Sequence, residues 1–152
     1  MLSATNRRDL VQQLDRFRQA GRETAVLDPV YADIDLQITI CVEPSRYAAD
    51  AAEDVTHALL GTGSPPGRGG FFDPDNFTFG APLRRSRLEA TIHAVPGVRA
   101  VEAILIRRRG WFDWRSFAEL TLNIGSGEVV RLDNDPLHPD RGSLRIFTEG
   151  GA

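Results

Sequence analysis

Apolar and polar residues alternate most regularly between positions 32 and 43. Ile34, Leu36, Ile38, Ile40 and Val42 interleave with Asp33, Asp35, Gln37, Thr39 and Cys41. A period of two puts the first set on one face of a strand and the second on the other. One buried and one wet face predicts an antiparallel or mixed sheet covered on one side. A shorter extended piece, 23–27, precedes this strand and ends at Asp28-Pro29.

The helical period appears three times. Residues 6–20 place Leu10, Leu14 and Phe17 on one face, with Thr5 or Asn6 as cap and Gly21 as stop. Residues 45–60 carry the stripe Ala48, Ala51, Ala52, Val55 and Leu59, closed by Gly61. A third helix is expected from Ser86, where Ser86-Arg87-Leu88-Glu89 fits a capping box; Pro96-Gly97 ends it. Strands are then expected over 98–109, 116–124, 128–133 and 143–148. The turn Gly125-Ser126-Gly127 suggests that the middle two form a hairpin. The predicted fold is α+β: a mainly antiparallel sheet with helices packed on one face, ferredoxin-like elements and an N-terminal helix. Residues 1–22 read as a helical arm and 23–149 as the domain.

Composition narrows the function. The chain has 152 residues, 41% hydrophobic and 26% charged, with a formal net charge of −3. That charge calls for neither nucleic acid nor an anionic membrane as partner. One cysteine, Cys41, rules out an internal disulfide and reads as a small strand filler. No apolar run approaches the roughly 18 residues of a membrane span. The N-terminus lacks the apolar stretch of a signal peptide, so the expected setting is the cytoplasm.

Candidate chemistry is sparse. Residues 133–140 gather oxygen donors, but Pro136 and Pro139 interrupt them and the spacing suits a turn better than a calcium loop. Gly67-Arg68-Gly69-Gly70 lacks the preceding strand and the Lys-Ser/Thr pair of a phosphate cradle. It lies in a Gly/Pro-rich loop, 61–70, that reads as mobile or partner-ordered. His57 and His93 have no partner close in sequence, and no serine sits in a nucleophile-elbow setting. No catalytic residue, metal or cofactor is expected. Arg107, Arg108 and Arg109 could meet phosphates, but Trp111, Phe112 and Trp114 follow them at once. Arg and Trp together are typical of protein interfaces. These six residues, with Phe71 and Phe72 of the 61–72 loop, are the expected partner contacts.

Several short motifs, taken in order, resemble the baseplate J-like family of contractile phage tails and related injection machines. They are Phe71-Phe72-Asp73-Pro74, Phe79-Gly80-Ala81-Pro82-Leu83, the Ser86 to Glu89 helix start, and Val95-Pro96-Gly97-Val98 with Val101. Pro29-Val30-Tyr31 before the alternating strand and Arg131-Leu132-Asp133-Asn134-Asp135 before the last strand also fit. The likeness spans roughly 25–148. It implies a scaffold without catalytic residues, assembled in the cytoplasm into a baseplate. The implied partners are other wedge subunits, further copies of the chain, and tube- or spike-associated proteins. Family members are usually longer, so the resemblance implies that this chain corresponds to their C-terminal part. The alternatives are a small-molecule-binding regulatory domain of ferredoxin-like type, marked by a concave apolar pocket with convergent polar groups, and a small hydrolase.

Overall fold

The computed structural model describes residues 2–63 and 67–152. The chain divides into two units, Met1–Val30 and Tyr31–Ala152.

The first unit is built on helix α1 (Ala4–Asp15). Ser3 caps it, earlier in the chain than expected: its Oγ accepts from the Asn6 N–H at 3.1 Å. The helix stops at Asp15, not 20, as the N–H of Phe17 bonds back to Leu14 and the last turn tightens. No residue of α1 is buried, and Phe17 is 87% exposed. Residues 23–27 form no strand. They travel with the helix, because Arg7 reaches across: it donates to the Val26 carbonyl at 3.3 Å and pairs with Asp28. The boundary expected at 22/23 therefore falls at 30/31.

The second unit runs, in chain order, β1 (Val30–Val42), α2 (Ala48–Leu60), β2 (Leu83–Arg84), α3 (Arg85–His93), β3 (Val98–Arg108), β4 (Arg115–Ser116), β5 (Thr121–Leu122), β6 (Glu128–Arg131) and β7 (Ser143–Gly150). It is α+β with a mostly antiparallel mixed sheet. β1 is the axis of a five-stranded sheet. β3 pairs antiparallel along one edge, from Ile34↔Arg108 to Val42↔Val98. β7 runs parallel to β1 from Asp35↔Ser143 to Val42↔Gly150. Those pairings occupy both edges from residue 35 onward, so β6 must take the N-terminal end of β1. β4 extends the sheet beyond β3, and β2 with β5 forms a separate two-stranded ribbon.

The alternating pattern of β1 is realised as read. Ile34, Leu36, Ile38, Ile40 and Val42 are all buried. They meet Ala51, Val55 and Leu59 of α2 and Leu88 and Ile92 of α3 in one core with Ile104, Ile106 and Leu144. Each of the Ile, Leu and Val side chains contributes about 2 kcal/mol by leaving water. Both helices therefore cover the same face of the sheet.

Two local expectations are corrected. Residues 116–124 and 128–133 form no hairpin. Thr121 and Leu122 pair with Arg84 and Leu83 instead, which buries Leu83 completely. The capping box at Ser86 does not form either. The helix already begins at Arg85, and Glu89 reaches the Arg85 guanidinium at 2.7 Å rather than a backbone N–H.

Candidate interaction surface

The sheet face turned away from the helices carries a repeated arrangement. Asp33 and Asp35 of β1 point there, two residues apart. Asp33 is only 8% exposed and accepts from Arg131 Nε at 2.6 Å, while the Arg131 guanidinium lies 4.1 Å over the Tyr31 ring. Burial alone would lower the Arg131 pKa, but the Asp33 carboxylate outweighs it and raises it. Asp35 accepts from Arg107, whose guanidinium lies 4.8 Å over the Trp114 ring. Each unit is a stack of aromatic ring, guanidinium and carboxylate, in which stacking and the charged hydrogen bond reinforce each other.

A third ring and guanidinium stack in the same way: Arg115 lies 4.1 Å over Trp111. Among the described residues no carboxylate pairs with Arg115.

The arginines expected at a partner surface are all engaged within the chain. Arg107 holds Asp35, Arg108 pairs with Glu128, and Arg109 donates to the Asp140 carbonyl at 2.8 Å. Their partners lie 72, 20 and 31 residues away in sequence, out of reach of any local motif. These pairs brace the corner that follows β3. Trp111 packs against the core, Trp114 is half-buried on Arg107, and Phe112 between them is 97% exposed.

Phe71 and Phe72 are anchored by their backbone. Their N–H groups donate to the carbonyls of Ala58 and Leu59, which satisfies acceptors left open at the end of α2. Phe72 is a correction to the expected surface: only 6% of it is exposed, because it is part of the core. Phe71 and Phe77 are half-buried, with T-shaped contact between their rings at 5.9 Å. The loop 61–70 that leads here is partly tied down, and residues 64–66 lie outside the described residues. Arg68 bridges Asp73 and Asp75, and the Gly69 N–H donates to Asp73 at 2.7 Å. Gly61 and Gly70 approach so closely that a Cβ on Gly70 would stand 2.3 Å from the Gly61 nitrogen.

A cleft of about 290 Å³ opens beside this corner. Ile106, Phe117 and Leu122 form its apolar floor, with Trp111, Arg115, Ser116, Glu119, Thr121 and Asn123 around it. Sequence reasoning missed it because the ends of β3, β4 and β5 build it, and the pairings of the two short strands leave no pattern in the sequence. A smaller, charged hollow of about 220 Å³ lies over the Asp35–Arg107 and Arg109–Asp140 pairs.

The oxygen-rich segment 133–140 spends its side chains on its own turn and on neighbouring parts of the chain. Asn134 adopts a left-handed φ of 50°, and its Oδ1 accepts from the Leu144 N–H at 2.9 Å. Asp135 accepts from the Leu137 N–H at 2.9 Å. Among the described residues no group of three or more His, Cys, Asp or Glu side chains is placed to hold a metal ion. His57 sits 3.9 Å from Glu53 on the exposed side of α2, and Cys41 is half-buried in β1. Among the described residues no helix is long and apolar enough to cross a membrane.

No family model matches the chain, and no curated protein matches it at significance.

Proposed function

We propose that this chain is a structural module of the baseplate of a contractile phage tail or a related injection machine, and that it works by being held between neighbouring proteins. One observation carries the contact reading. Phe112 is 97% exposed on a corner that internal ion pairs and two stacked tryptophans make rigid. A large apolar side chain on a rigid base is an anchor that binds without an ordering cost. Trp111, Trp114 and the Arg107 to Arg109 pairs support that anchor, and Phe71 borders the second expected contact. The baseplate itself is inferred from the ordered motifs between 25 and 148. The partners that follow are wedge subunits, copies of the chain, and tube- or spike-associated proteins, assembled in the cytoplasm.

Co-expression with the sheath, tube, spike and wedge proteins encoded by the same genome tests this reading. The chain should co-purify with at least one wedge or spike-associated subunit, and Phe112→Ser should abolish that. A wild-type chain that joins none of them, encoded among metabolic enzymes, overturns the proposal.

The cleft beside Trp111 favours a second reading, a small-molecule-binding regulatory domain, because it has an apolar floor and polar groups around it. A melting-temperature screen against metabolites separates the two. A saturable shift of several degrees with one compound supports the second reading.

A further inference from the structure

The cleft has features of a strand-receiving site. Phe117 donates its N–H to the Ile104 carbonyl, so the β3–β4 register makes residues 117 and 115 the hydrogen-bonded positions. Ser116 lies between them, and its own N–H and C=O therefore point away from β3. The same parity holds in the ribbon. Arg85 donates to the Leu120 carbonyl, and Thr121, paired with Arg84, turns its backbone groups away from β2. Both residues line the cleft, and among the described residues neither β4 nor β5 pairs with a further strand on that side. Two short strands thus present open edges at one apolar-floored cleft.

Charge specifies what fits. Tyr31–Arg131 and Trp114–Arg107 are each completed by an aspartate of β1. Trp111–Arg115, the stack that lines the cleft, has its ring and its guanidinium but no acid among the described residues. Glu119 on the same lining disfavours more than one acid in the occupant. Phe112 and Leu120, next in sequence to lining residues, are 97% and 80% exposed.

We infer that the cleft receives an extended segment of a partner protein that carries one carboxylate two residues from one large apolar side chain, so that both point to the same face. The carboxylate completes the Trp111–Arg115 stack. The apolar side chain sits on Ile106, Phe117 and Leu122, and the partner backbone pairs with Ser116 and Thr121. This inference rests on the protein-contact reading and gives it a partner chemistry.

The test is an NMR titration of the whole ¹⁵N-labelled chain with the peptide acetyl-Thr-Asp-Thr-Leu-Thr-amide. The expected result is saturable movement of the Ser116 and Thr121 amides and of the Trp111 indole N–H, with a Kd on the order of 1 mM. Replacing the peptide's Asp with Asn, or Arg115→Gln in the protein, should weaken binding about tenfold, as for the loss of one charged hydrogen bond. The Asn peptide leaves the protein unaltered, so a folding defect cannot imitate its effect. Absence of saturable shifts, shifts confined to other surfaces, or equal binding of the Asn peptide overturns the inference. If the peptide fails while the chain still co-purifies with tail subunits, the cleft assignment falls and the contact reading stands. If the peptide binds while the chain joins no tail subunit, the cleft assignment stands and the baseplate reading falls.

Discussion

Asp35 and Arg107 face each other across the β1–β3 pair, and both Nε and Nη2 of the arginine donate to one carboxylate oxygen, at 3.0 and 2.9 Å. The other oxygen accepts from Ser143 Oγ of β7 at 2.8 Å. One side chain on the central strand thus ties down both neighbours, and it does so on the face the helices leave uncovered.

That double attachment predicts the cost of its loss. Asp35→Ala should lower unfolding stability by about 2 kcal/mol, since it strands a partly buried guanidinium. Urea unfolding measures this. A double-mutant cycle with Arg107→Ala should return a coupling of about 1 kcal/mol. A coupling indistinguishable from zero would mean that the pair holds nothing.

Gly70 predicts a steric effect instead of an electrostatic one. A methyl group there meets the Gly61 nitrogen at 2.3 Å and the Leu59 carbonyl oxygen at 2.6 Å, all of it backbone that cannot rotate away. Gly70→Ala should cost about 3 kcal/mol, at the upper end of overpacking. Gly127→Ala, where nothing lies within 4 Å, is the control and should be close to neutral. Equal melting temperatures for the two variants would contradict this packing.

Phe112 separates folding from contact. Phe112→Ser should stay within about 0.5 kcal/mol of the parent, as expected of a residue that touches little of its own chain. Trp111→Ala should lower stability measurably, because that ring packs on the core. Calorimetry distinguishes them, and a large loss in Phe112→Ser would show that the residue serves the fold.

Acid should loosen the loop before α3. The backbone N–H groups of Gly69 and Asp75, and after them Arg68, hold the Asp73 carboxyl below its ordinary value. The Gly125 N–H and then Arg108 do the same for Glu128. Depressed carboxyls bind protons more readily in the unfolded chain, so their stabilisation is complete above about pH 4.5 and fades as pH falls through the lowered folded values. Asp73→Asn should be less stable at pH 7, with a shallower decline between about pH 5 and 3. Thermal melts across that range check it, and parallel declines would remove Asp73 as a source of the acid sensitivity.

Much of the sheet was legible in the sequence, and the reason lies in particular residues. Ile34 to Val42 announce β1 because a half-buried strand enforces strict alternation, and Val55 and Leu59 announce α2 by the helical period. Leu122 misled because its strand is two residues long and is fixed by Leu83, 39 positions earlier. Ser86 misled because Arg84 took the cap position and the box lost its geometry. Arg107, Arg108 and Arg109 stood out as a cluster, but the groups inside the chain that engage them did not. The link from Arg107 to Asp35 spans 72 residues, and only the folded register brings the two together. The cleft left no signal, since Ile106, Trp111 and Leu122 become neighbours only after β3, the corner and the ribbon are in place.

The parallel pairing of β1 with β7 joins residues about 108 positions apart. A nascent polypeptide therefore carries an open-edged axial strand until residues 143–150 have cleared the ribosome. Folding of the second unit has to wait for that last piece, and loop closure over such a span makes it slow. Truncation before Ser143 would leave a sticky, unsealed intermediate, prone to pair with whatever extended chain it meets first.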